Sequence, residues 1–288
     1  KAQRQHGELH DHLLRGKTLA MIFQKPSTRT RVAFEAGMAQ LGGHALFLST
    51  NDLQLGRGET ISDTAQVLSR YVDGIMARVF KHSDVQTLAE YSTVPVINGL
   101  SDLAHPTQGL ADMLTVKEQL GGWSGHKLTY VGCANNMAHS LMLAGALVGL
   151  DICIASPASV QPDPDIFQRA CAIGAMTGAT ITVADDPRDG VADANLIYTD
   201  VWVSMGQTVD EGTLKALAGF QVNDGLMEYA GPDALFMHCL PMYRGQEATA
   251  EVADGHYSII FDQAENRLHL HKALMVALMS DEVESVLL

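Results

Sequence analysis

Residues 18–31 read TLAMIFQKPSTRTR, and this segment decides how the rest of the chain is interpreted. Its apolar part, residues 18–23, predicts a buried strand. The residues that follow predict a helix, because Phe34 and Met38 recur at helical spacing on one face. A glycine pair that begins at Gly42 would end this helix. The segment therefore predicts a strand that leads directly into a helix.

The start of the predicted helix concentrates groups that bind anions. Pro26 and Ser27 suit its first turn and its cap. Backbone N–H groups point outward there, and the helix dipole favours negative charge. Arginine can hold a phosphate through two parallel hydrogen bonds, and hydroxyls can bind the remaining oxygens. A solvated basic helix start is the alternative, but the strand before and the helix after favour a phosphate site. The candidate groups belong to Lys25, Ser27, Thr28, Arg29, Thr30 and Arg31.

Length and charge limit the classes of protein to consider. A chain of 288 residues suits two domains of ordinary size, each with its own core. The net charge of -14 argues against a nucleic-acid partner, because it repels a polyanion. We expect instead a negative body with one local positive pocket that attracts a small anion.

The cysteines and the apolar runs bear on the compartment. Four dispersed cysteines without a C-x-x-C pair predict neither a zinc site nor a disulfide framework. Free thiols are typical of a reducing cytoplasm, and we expect a cytoplasmic protein. No apolar run reaches transmembrane length, so we expect no membrane partner. No secretory leader is visible, although a targeting segment removed from before residue 1 stays open.

Strand-like and helix-like stretches alternate along the chain in two sets, separated by a glycine-rich break at residues 121–125. This alternation predicts βαβ units and parallel sheets. The expected fold class is α/β, with two doubly wound domains joined by interdomain helices. The domains are expected at residues 1–120 and 125–264. A short strand at residues 258–261 and a helix from about residue 265 should end the chain.

Polar residues at predicted strand ends are further site candidates, because ligands of such folds lie at the carboxyl ends of the strands. His105 precedes Pro106 at a helix start, where it can donate a hydrogen bond to a carbonyl oxygen. Gln108 lies one turn further along the same face. Arg78 ends a buried strand and needs a partner. On the residues alone, a capping histidine is the more common interpretation of His105. A structural salt bridge is an equal alternative for Arg78.

Three segments of the second half carry similar candidates. Residues 132–136, GCANN, follow a predicted strand but lack the G-x-G-x-x-G spacing of a dinucleotide site. Residues 200–206, DVWVSMG, offer a carboxylate, a hydroxyl and approachable backbone N–H groups. That set could bind an ammonium and a carboxylate together. Residues 238–241 read HCLP, in which Cys239 alone would most often be inert core.

In order and spacing, these motifs resemble those of the aspartate/ornithine transcarbamoylase family over about residues 14–279. The STRTR run at residues 27–31 resembles the family's carbamoyl-phosphate motif. Residues 105–108, HPTQ, resemble its His-Pro-x-Gln motif. The D-x-x-x-S-M-G segment that begins at Asp200 is similar to the ornithine loop of the ornithine carbamoyltransferases, and aspartate carbamoyltransferases lack this loop.

The resemblance implies roles for individual residues. The residues implied to be catalytic are Arg29, His105, Asp200, Cys239 and Arg267. Those implied to bind carbamoyl phosphate are Ser27, Thr28, Arg29, Thr30, Gln54, Arg78, His105, Gln108, Cys239, Leu240 and Arg267. Those implied to bind ornithine are Asn136, Asp200, Ser204 and Met205. The C-terminal helix, residues 265–288, is implied to complete the first domain.

The implied reaction moves the carbamoyl group of carbamoyl phosphate to the δ-amine of L-ornithine, giving L-citrulline and phosphate, as part of arginine metabolism. No metal and no organic cofactor are implied. The implied partners are the two substrates and further copies of the chain, in a homotrimer or an assembly of trimers. In that assembly Gln54 would reach the active site of a neighbouring subunit.

Two departures from the family pattern stand beside the resemblance. Cys133 and Ala134 replace the usual Asp and Gly, and Met242 and Tyr243 replace a common Ala-His pair. The second change puts fine specificity in question. The alternatives are a transferase for another amine, such as an acylated ornithine or putrescine, and a non-catalytic homologue that binds carbamoyl phosphate. A nicotinamide dehydrogenase is least favoured, because its fingerprint is missing.

Overall fold

The computed structural model describes residues 1, 7–50, 53, 58–203, 208–231 and 233–281. The chain divides into two compact units. Unit 1 comprises Lys1–Thr107 and Arg267–Leu288, and unit 2 comprises Gln108–Asn266.

The regular elements alternate as the sequence predicts. The strands are β1 (Thr18–Phe23), β2 (His44–Ser49), β3 (Gly74–Arg78), β4 (Val96–Leu100), β5 (Lys127–Val131), β6 (Asp151–Ala155), β7 (Ile181–Ala184), β8 (Leu196–Thr199) and β9 (Leu235–His238). The helices are α1 (Thr28–Gln40), α2 (Ile61–Leu68), α3 (His82–Tyr91), α4 (Pro106–Leu120), α5 (Asn136–Val148), α6 (Pro164–Thr177), α7 (Pro187–Val191), α8 (Glu211–Leu217), α9 (Asp224–Met227), α10 (Ala250–Ala253) and α11 (Ile260–Met279). The chain passes between the units inside α4 and α11.

Unit 1 is built on a parallel sheet with the strand order β2-β1-β3-β4. The side chains of β1 alternate between two cores. Leu19 and Met21 pack in a cluster with Phe34 of α1. Ala20 and Ile22 belong to a second cluster, which includes residues of α2 and α3. Because both faces of β1 are covered, its sequence is apolar throughout rather than alternating.

Unit 2 is built on a second parallel sheet, in the order β7-β6-β5-β8-β9. Leu196 and Tyr198 of β8 pack in one core, and Ile197 between them packs in the other. Both sheets are therefore covered by helices on two faces. The predicted α/β class with two doubly wound parallel sheets is confirmed.

The strand order places the candidate site residues. In unit 1 the order reverses between β1 and β3, which end at Phe23 and Arg78. In unit 2 it reverses between β5 and β8, which end at Val131 and Thr199. Ligands of open α/β sheets bind outside the carboxyl ends of the strands at such reversals. The segments that the sequence singled out after these four strands all begin there.

The end of the chain differs from the prediction. The short strand expected at residues 258–261 is wrong, since α11 begins at Ile260 and only Ser258 forms an isolated bridge, with Phe236. A short apolar run is ambiguous because periodicity cannot separate a buried strand from the first turn of a buried helix. The domains proposed at residues 1–120 and 125–264 stay a prediction. Within the described part of the chain, each helix is too short or too polar to cross a membrane.

The close approach of α6 to the chain after it gives a stability prediction. A Cβ added at Gly174 would overlap the backbone carbonyl oxygen of Ala179, which cannot move as a side chain does. We expect Gly174→Ala to lower the free energy of unfolding by about 1–3 kcal/mol, as overpacked sites do. The matched control is Gly219→Ala, since a Cβ there meets nothing within 4 Å. Urea unfolding measures both, and a Gly174→Ala protein as stable as the parent would contradict the prediction.

Candidate active site

Ser27 caps α1 as predicted, whereas Pro26, which was predicted for the first turn, lies before the cap. Ser27 is the N-cap residue with extended backbone, and its Oγ accepts a hydrogen bond from the Thr30 N–H at 3.2 Å. The Ser27 hydroxyl in turn donates to Thr30 Oγ1 at 3.1 Å. Thr28 and Arg29 are therefore the first two residues of the helix, where backbone N–H groups have no partner within the helix. This is the geometry expected of an anion site.

Arg267, on α11, is tied to this turn. Arg267 is 3% exposed, and its guanidinium donates from Nη2 to Thr30 Oγ1 at 3.1 Å. Its Nε donates to Nε2 of His271 at 3.3 Å, and His271 stacks on the ring of Phe34 at 3.9 Å. Thr30 Oγ1 thus accepts two hydrogen bonds. No described residue accepts the proton of its own hydroxyl, so Thr30 can donate to a ligand oxygen.

The same unit buries further cations around His105. Arg78 and Lys25 are both less than a tenth exposed. Burial lowers the pKa of His105 well below its usual value, and the positive charges of Arg267, Arg78 and Arg29 lower it further. His105 is therefore a neutral imidazole at pH 7. Burial also lowers the pKa of Lys25, as does Arg78, while Asp102 opposes the shift. The structure brings Ser27, Arg29, Thr30, Arg78, His105 and Arg267 together as one cationic cluster.

The two buried histidines predict how stability depends on pH. The pKa of His271 is also held well below its usual value, by burial and by Arg267. Below about pH 6.5 the unfolded chain protonates these histidines and the folded chain does not. The unfolded state then binds more protons than the folded state. As the pH is lowered below about 6.5, the free energy of unfolding should therefore fall by roughly 1.4 kcal/mol per histidine for each pH unit.

We expect the His271→Phe variant, which keeps an aromatic ring against Phe34, to lose one histidine's share of this slope. Urea unfolding between pH 5.0 and 7.5 measures the slope. Replacement of the exposed His12 by Phe is the matched control. An unchanged slope in His271→Phe would contradict the assignment of a neutral imidazole to His271.

Unit 2 carries a second cluster, centred on a buried carboxylate. Asp200 follows β8 and is 8% exposed. It accepts hydrogen bonds from Asn135 Nδ2 at 3.1 Å, from Cys239 Sγ at 3.2 Å and from the Val201 N–H at 2.8 Å. Asn135 caps α5 and Cys239 follows β9, so three strand ends meet here. All the described partners of Asp200 are neutral donors.

Cys239 is a thiol rather than a thiolate in this cluster. Burial raises its pKa well above the usual value, and the carboxylates of Asp200 and Asp112 raise it further. The Cys239 thiol therefore donates its proton to Asp200. Burial and Asp200 likewise raise the pKa of Cys133 to about 11. Neither cysteine has the depressed pKa of a reactive nucleophile.

Among the described residues, Asp200, His238 and Cys239 offer ligand atoms within 4.8 Å of one another, as a metal site would. The donor set does not fit a metal ion. Nδ1 of His238 accepts the Leu240 N–H at 2.8 Å, and its Nε2 lies 3.1 Å from Glu247 Oε1. Because both ring nitrogens are engaged and the cysteine is protonated, the trio is a hydrogen-bonded cluster.

The remaining predicted residues are placed as follows. Gln108 is buried, and its Nε2 donates to Asp112 Oδ1 at 2.8 Å. The amide nitrogen of Gln108 therefore faces Asp112, and the amide oxygen is the other terminal atom. Gln263 Nε2 donates to the same carboxylate oxygen at 2.8 Å. Asn136 is the first residue of α5. Gln54, Ser204 and Met205 lie outside the described residues.

Sequence reasoning missed several residues that orient the side chains around Asp200 in unit 2 and the cationic cluster in unit 1. Asn135 stands directly before the predicted helix, and this position alone could have marked it as the cap. His271 lies four residues after Arg267, a spacing that brings helical side chains together. Asp112 lies four residues after Gln108 on α4, which is the same spacing. Glu247 carries no comparable sequence pattern, and its partner His238 is known only from the folded chain.

The sequence of this chain matches known proteins over almost its whole length. Residues 1–118 match the carbamoyl-P binding domain of the aspartate/ornithine carbamoyltransferases, and residues 124–278 match their Asp/Orn binding domain. The ornithine carbamoyltransferase of Methanothermobacter thermautotrophicus is 56% identical over 276 residues, covering 96% of this chain and 91% of that protein. A Pyrococcus furiosus protein named ornithine carbamoyltransferase, anabolic, is 56% identical over 268 residues, covering 93% and 85%.

The fold agrees as closely as the sequence. The solved structure of the ornithine carbamoyltransferase from Pyrococcus furiosus matches this chain with a TM-score of 0.93 at 55% identity. That match covers 97% of this chain and 89% of the other. With both domain models matched in order and similar proteins more than half identical over nearly the whole chain, the chain belongs to the aspartate/ornithine carbamoyltransferase family.

Proposed function

We propose that this protein transfers the carbamoyl group from carbamoyl phosphate to the δ-amine of L-ornithine, giving L-citrulline and phosphate. Both domain matches and the names of the similar proteins support this reaction. In the proposal, unit 1 binds the anionic donor and unit 2 binds the cationic acceptor. The charges of the two clusters support that division.

The cationic cluster suits the donor. Attack on carbamoyl phosphate places negative charge on the carbonyl oxygen and then on the departing phosphate. Fixed donors aimed at such charge are usually the largest contribution to catalysis. Arg267, neutral His105 and the Thr30 hydroxyl are buried donors suited to the carbonyl oxygen. Ser27, Thr28 and Arg29 at the start of α1 suit the phosphate, with Arg78 beside them.

Asp200 is the observation that favours ornithine over aspartate. A buried carboxylate whose partners among the described residues are all neutral donors favours a cationic ligand, because burying an unpaired charge is unfavourable. Ornithine brings an ammonium group on its side chain. Aspartate brings a second carboxylate, which Asp200 would repel. Asn135 and Cys239 hold the carboxylate in place for that cation.

The acceptor amine must lose a proton before it attacks. A lysine-like amine has a pKa of about 10.4, so its neutral form at pH 7 lies roughly 4–5 kcal/mol uphill. The Cys239 thiol already carries a proton and has a raised pKa, so it cannot accept another. In the proposal, Asp200 is the group that receives the amine's hydrogen bond and orients its lone pair. Gln108 and the Leu240 carbonyl suit the amide end of the carbamoyl group.

The assembly and the compartment are parts of the same proposal. A homotrimer, with Gln54 reaching a neighbouring subunit, is supported by the family resemblance alone. Static light scattering tests it directly, and a monomer that is fully active would overturn it. A cytoplasmic location is supported by four cysteines that form no disulfide.

A substrate panel tests the proposed reaction. Citrulline or other ureido product is measured with carbamoyl phosphate and L-ornithine, N-acetylornithine, putrescine, L-lysine or L-aspartate. We expect turnover to favour L-ornithine strongly and to be lost in Arg29→Ala and Cys239→Ala. Arg70→Ala, at an exposed arginine of unit 1, is the control. Preference for another amine would keep the donor half and overturn the acceptor half. Phosphate binding without turnover would indicate a non-catalytic homologue.

A further inference from the structure

A strained turn follows β9. Leu240 has φ +58, a left-handed backbone conformation that is unfavourable for a residue with a side chain. Such conformations persist only where surrounding contacts hold them, and they concentrate at active sites. Leu240 directly follows Cys239, whose thiol donates to Asp200. The contacts that hold Leu240 therefore also govern where the Cys239 side chain lies.

His238 supplies the first of these contacts. The Leu240 N–H donates to Nδ1 of His238 at 2.8 Å. An acceptor nitrogen carries no proton, so the imidazole proton of the neutral ring is on Nε2. That nitrogen lies 3.1 Å from Glu247 Oε1 and donates to it. Both side chains are fully buried.

Glu247 ties the far end of the same turn. Its Oε1 also accepts the Tyr243 N–H at 2.7 Å, so one oxygen holds both His238 and residue 243. The backbone of Glu247 is itself anchored, because its carbonyl accepts the Val222 N–H at 2.9 Å. The turn from His238 to Tyr243 is thus fixed from within by one buried carboxylate.

We propose that His238 and Glu247 are positioning residues, which hold the Leu240 peptide and the Cys239 thiol in the orientation that the transfer step uses. The inference rests on the proposed function, in which the Leu240 carbonyl binds the carbamoyl amide. The pair touches neither substrate itself. Its loss should impair the reaction of bound carbamoyl phosphate and leave the binding of inorganic phosphate by the cationic cluster unchanged.

Two variants of Glu247 test the arrangement. Glu247→Ala removes the anchor, whereas Glu247→Gln keeps an amide oxygen where Oε1 accepts both hydrogen bonds. We expect Glu247→Ala to lower kcat up to about 10²-fold, as a displacement of about 1 Å in an active site can. Glu247→Gln should stay within about fivefold of the parent, since geometry and not charge is the requirement. The phosphate Kd from calorimetry should stay within twofold in both.

A double variant separates positioning from stability. A buried polar pair can often be replaced by apolar residues of similar volume without loss of stability. His238→Leu with Glu247→Met should therefore fold even if Glu247→Ala does not, and it should still lose kcat. The control is Glu251→Gln, at an exposed glutamate of the same segment. A stable double variant with the parent's kcat would overturn the proposal.

One readout does not depend on turnover. Alkylation of Cys239 by iodoacetamide, followed by peptide mass spectrometry, reports on its thiol in the free enzyme. We expect faster alkylation of Cys239 in the double variant and an unchanged rate in Glu251→Gln. A parent enzyme that forms no citrulline would overturn the proposed function. An unchanged alkylation rate together with unchanged kcat would overturn the positioning role alone.

Discussion

Replacing Arg267 with methionine should lower kcat/KM for carbamoyl phosphate by about 10³-fold or more, since each lost donor to a developing oxyanion lowers the rate about 10²- to 10³-fold. Arg267 is almost completely buried and donates to Thr30 and to His271. Methionine fills a similar volume but carries no donor and no charge. The Thr30 hydroxyl also loses one of the two hydrogen bonds that its oxygen accepts. Steady-state citrulline formation at saturating ornithine measures the effect.

Two further variants sharpen this prediction. Arg267→Lys keeps a positive charge but cannot reach two partners in the planar geometry of a guanidinium, so it should restore only part of the activity. Arg70→Met, at an exposed arginine of unit 1, should behave as the parent. Comparable kcat/KM values for Arg267→Met and the parent would show that Arg267 has no part in stabilising the transition state.

Asp200→Asn should lower kcat/KM for L-ornithine by about 10³-fold. Removing one member of a buried ion pair is unfavourable by about 3–5 kcal/mol, and 1.4 kcal/mol corresponds to a tenfold change. Asparagine keeps the shape, and its Oδ1 can still accept hydrogen bonds from the Val201 N–H and the Cys239 thiol. It removes the negative charge and the acceptor that Asn135 Nδ2 uses. Kinetics with ornithine varied at saturating carbamoyl phosphate measure it.

The phosphate Kd serves as the internal reference for this variant, because Asp200 belongs to unit 2 and the cationic cluster belongs to unit 1. That Kd should be unchanged. Asp233→Asn removes an exposed carboxylate of unit 2 and is the matched control. If Asp200→Asn used ornithine as well as the parent does, the buried carboxylate would not be the group that recognises the amine.

The helix start at residues 27–31 is a feature that neighbouring residues in the sequence were enough to predict. A polar cap after proline, with an apolar strand before it, is a nearest-neighbour pattern, and the structure places Ser27 as the cap. The turns after β5, β8 and β9 were also recognised as site candidates, because polar residues directly follow an apolar strand in each. The prediction of a strand at residues 258–261 was wrong, because a short apolar run is too short for its periodicity to separate a strand from a helix.

Long-range partners were beyond such reasoning. Arg267 and Thr30 are 237 positions apart, and Asn135 and Asp200 are 65 apart. Nothing near Glu247 in the chain indicates that its carboxylate holds His238. These contacts depend on the order of the strands in each sheet.

The sequence by itself determined the alternation of strands and helices, the capped anion-binding turn and the identity of the polar groups at the strand ends. Those features arise from interactions between residues close in the chain, where periodicity and capping act directly. Only the tertiary structure decided that Asp200, Asn135 and Cys239 share one cluster, that His105 is neutral and that Leu240 is held by a buried pair. Strand order and burial set these features, and both result from the packing of the whole domain rather than from any single segment.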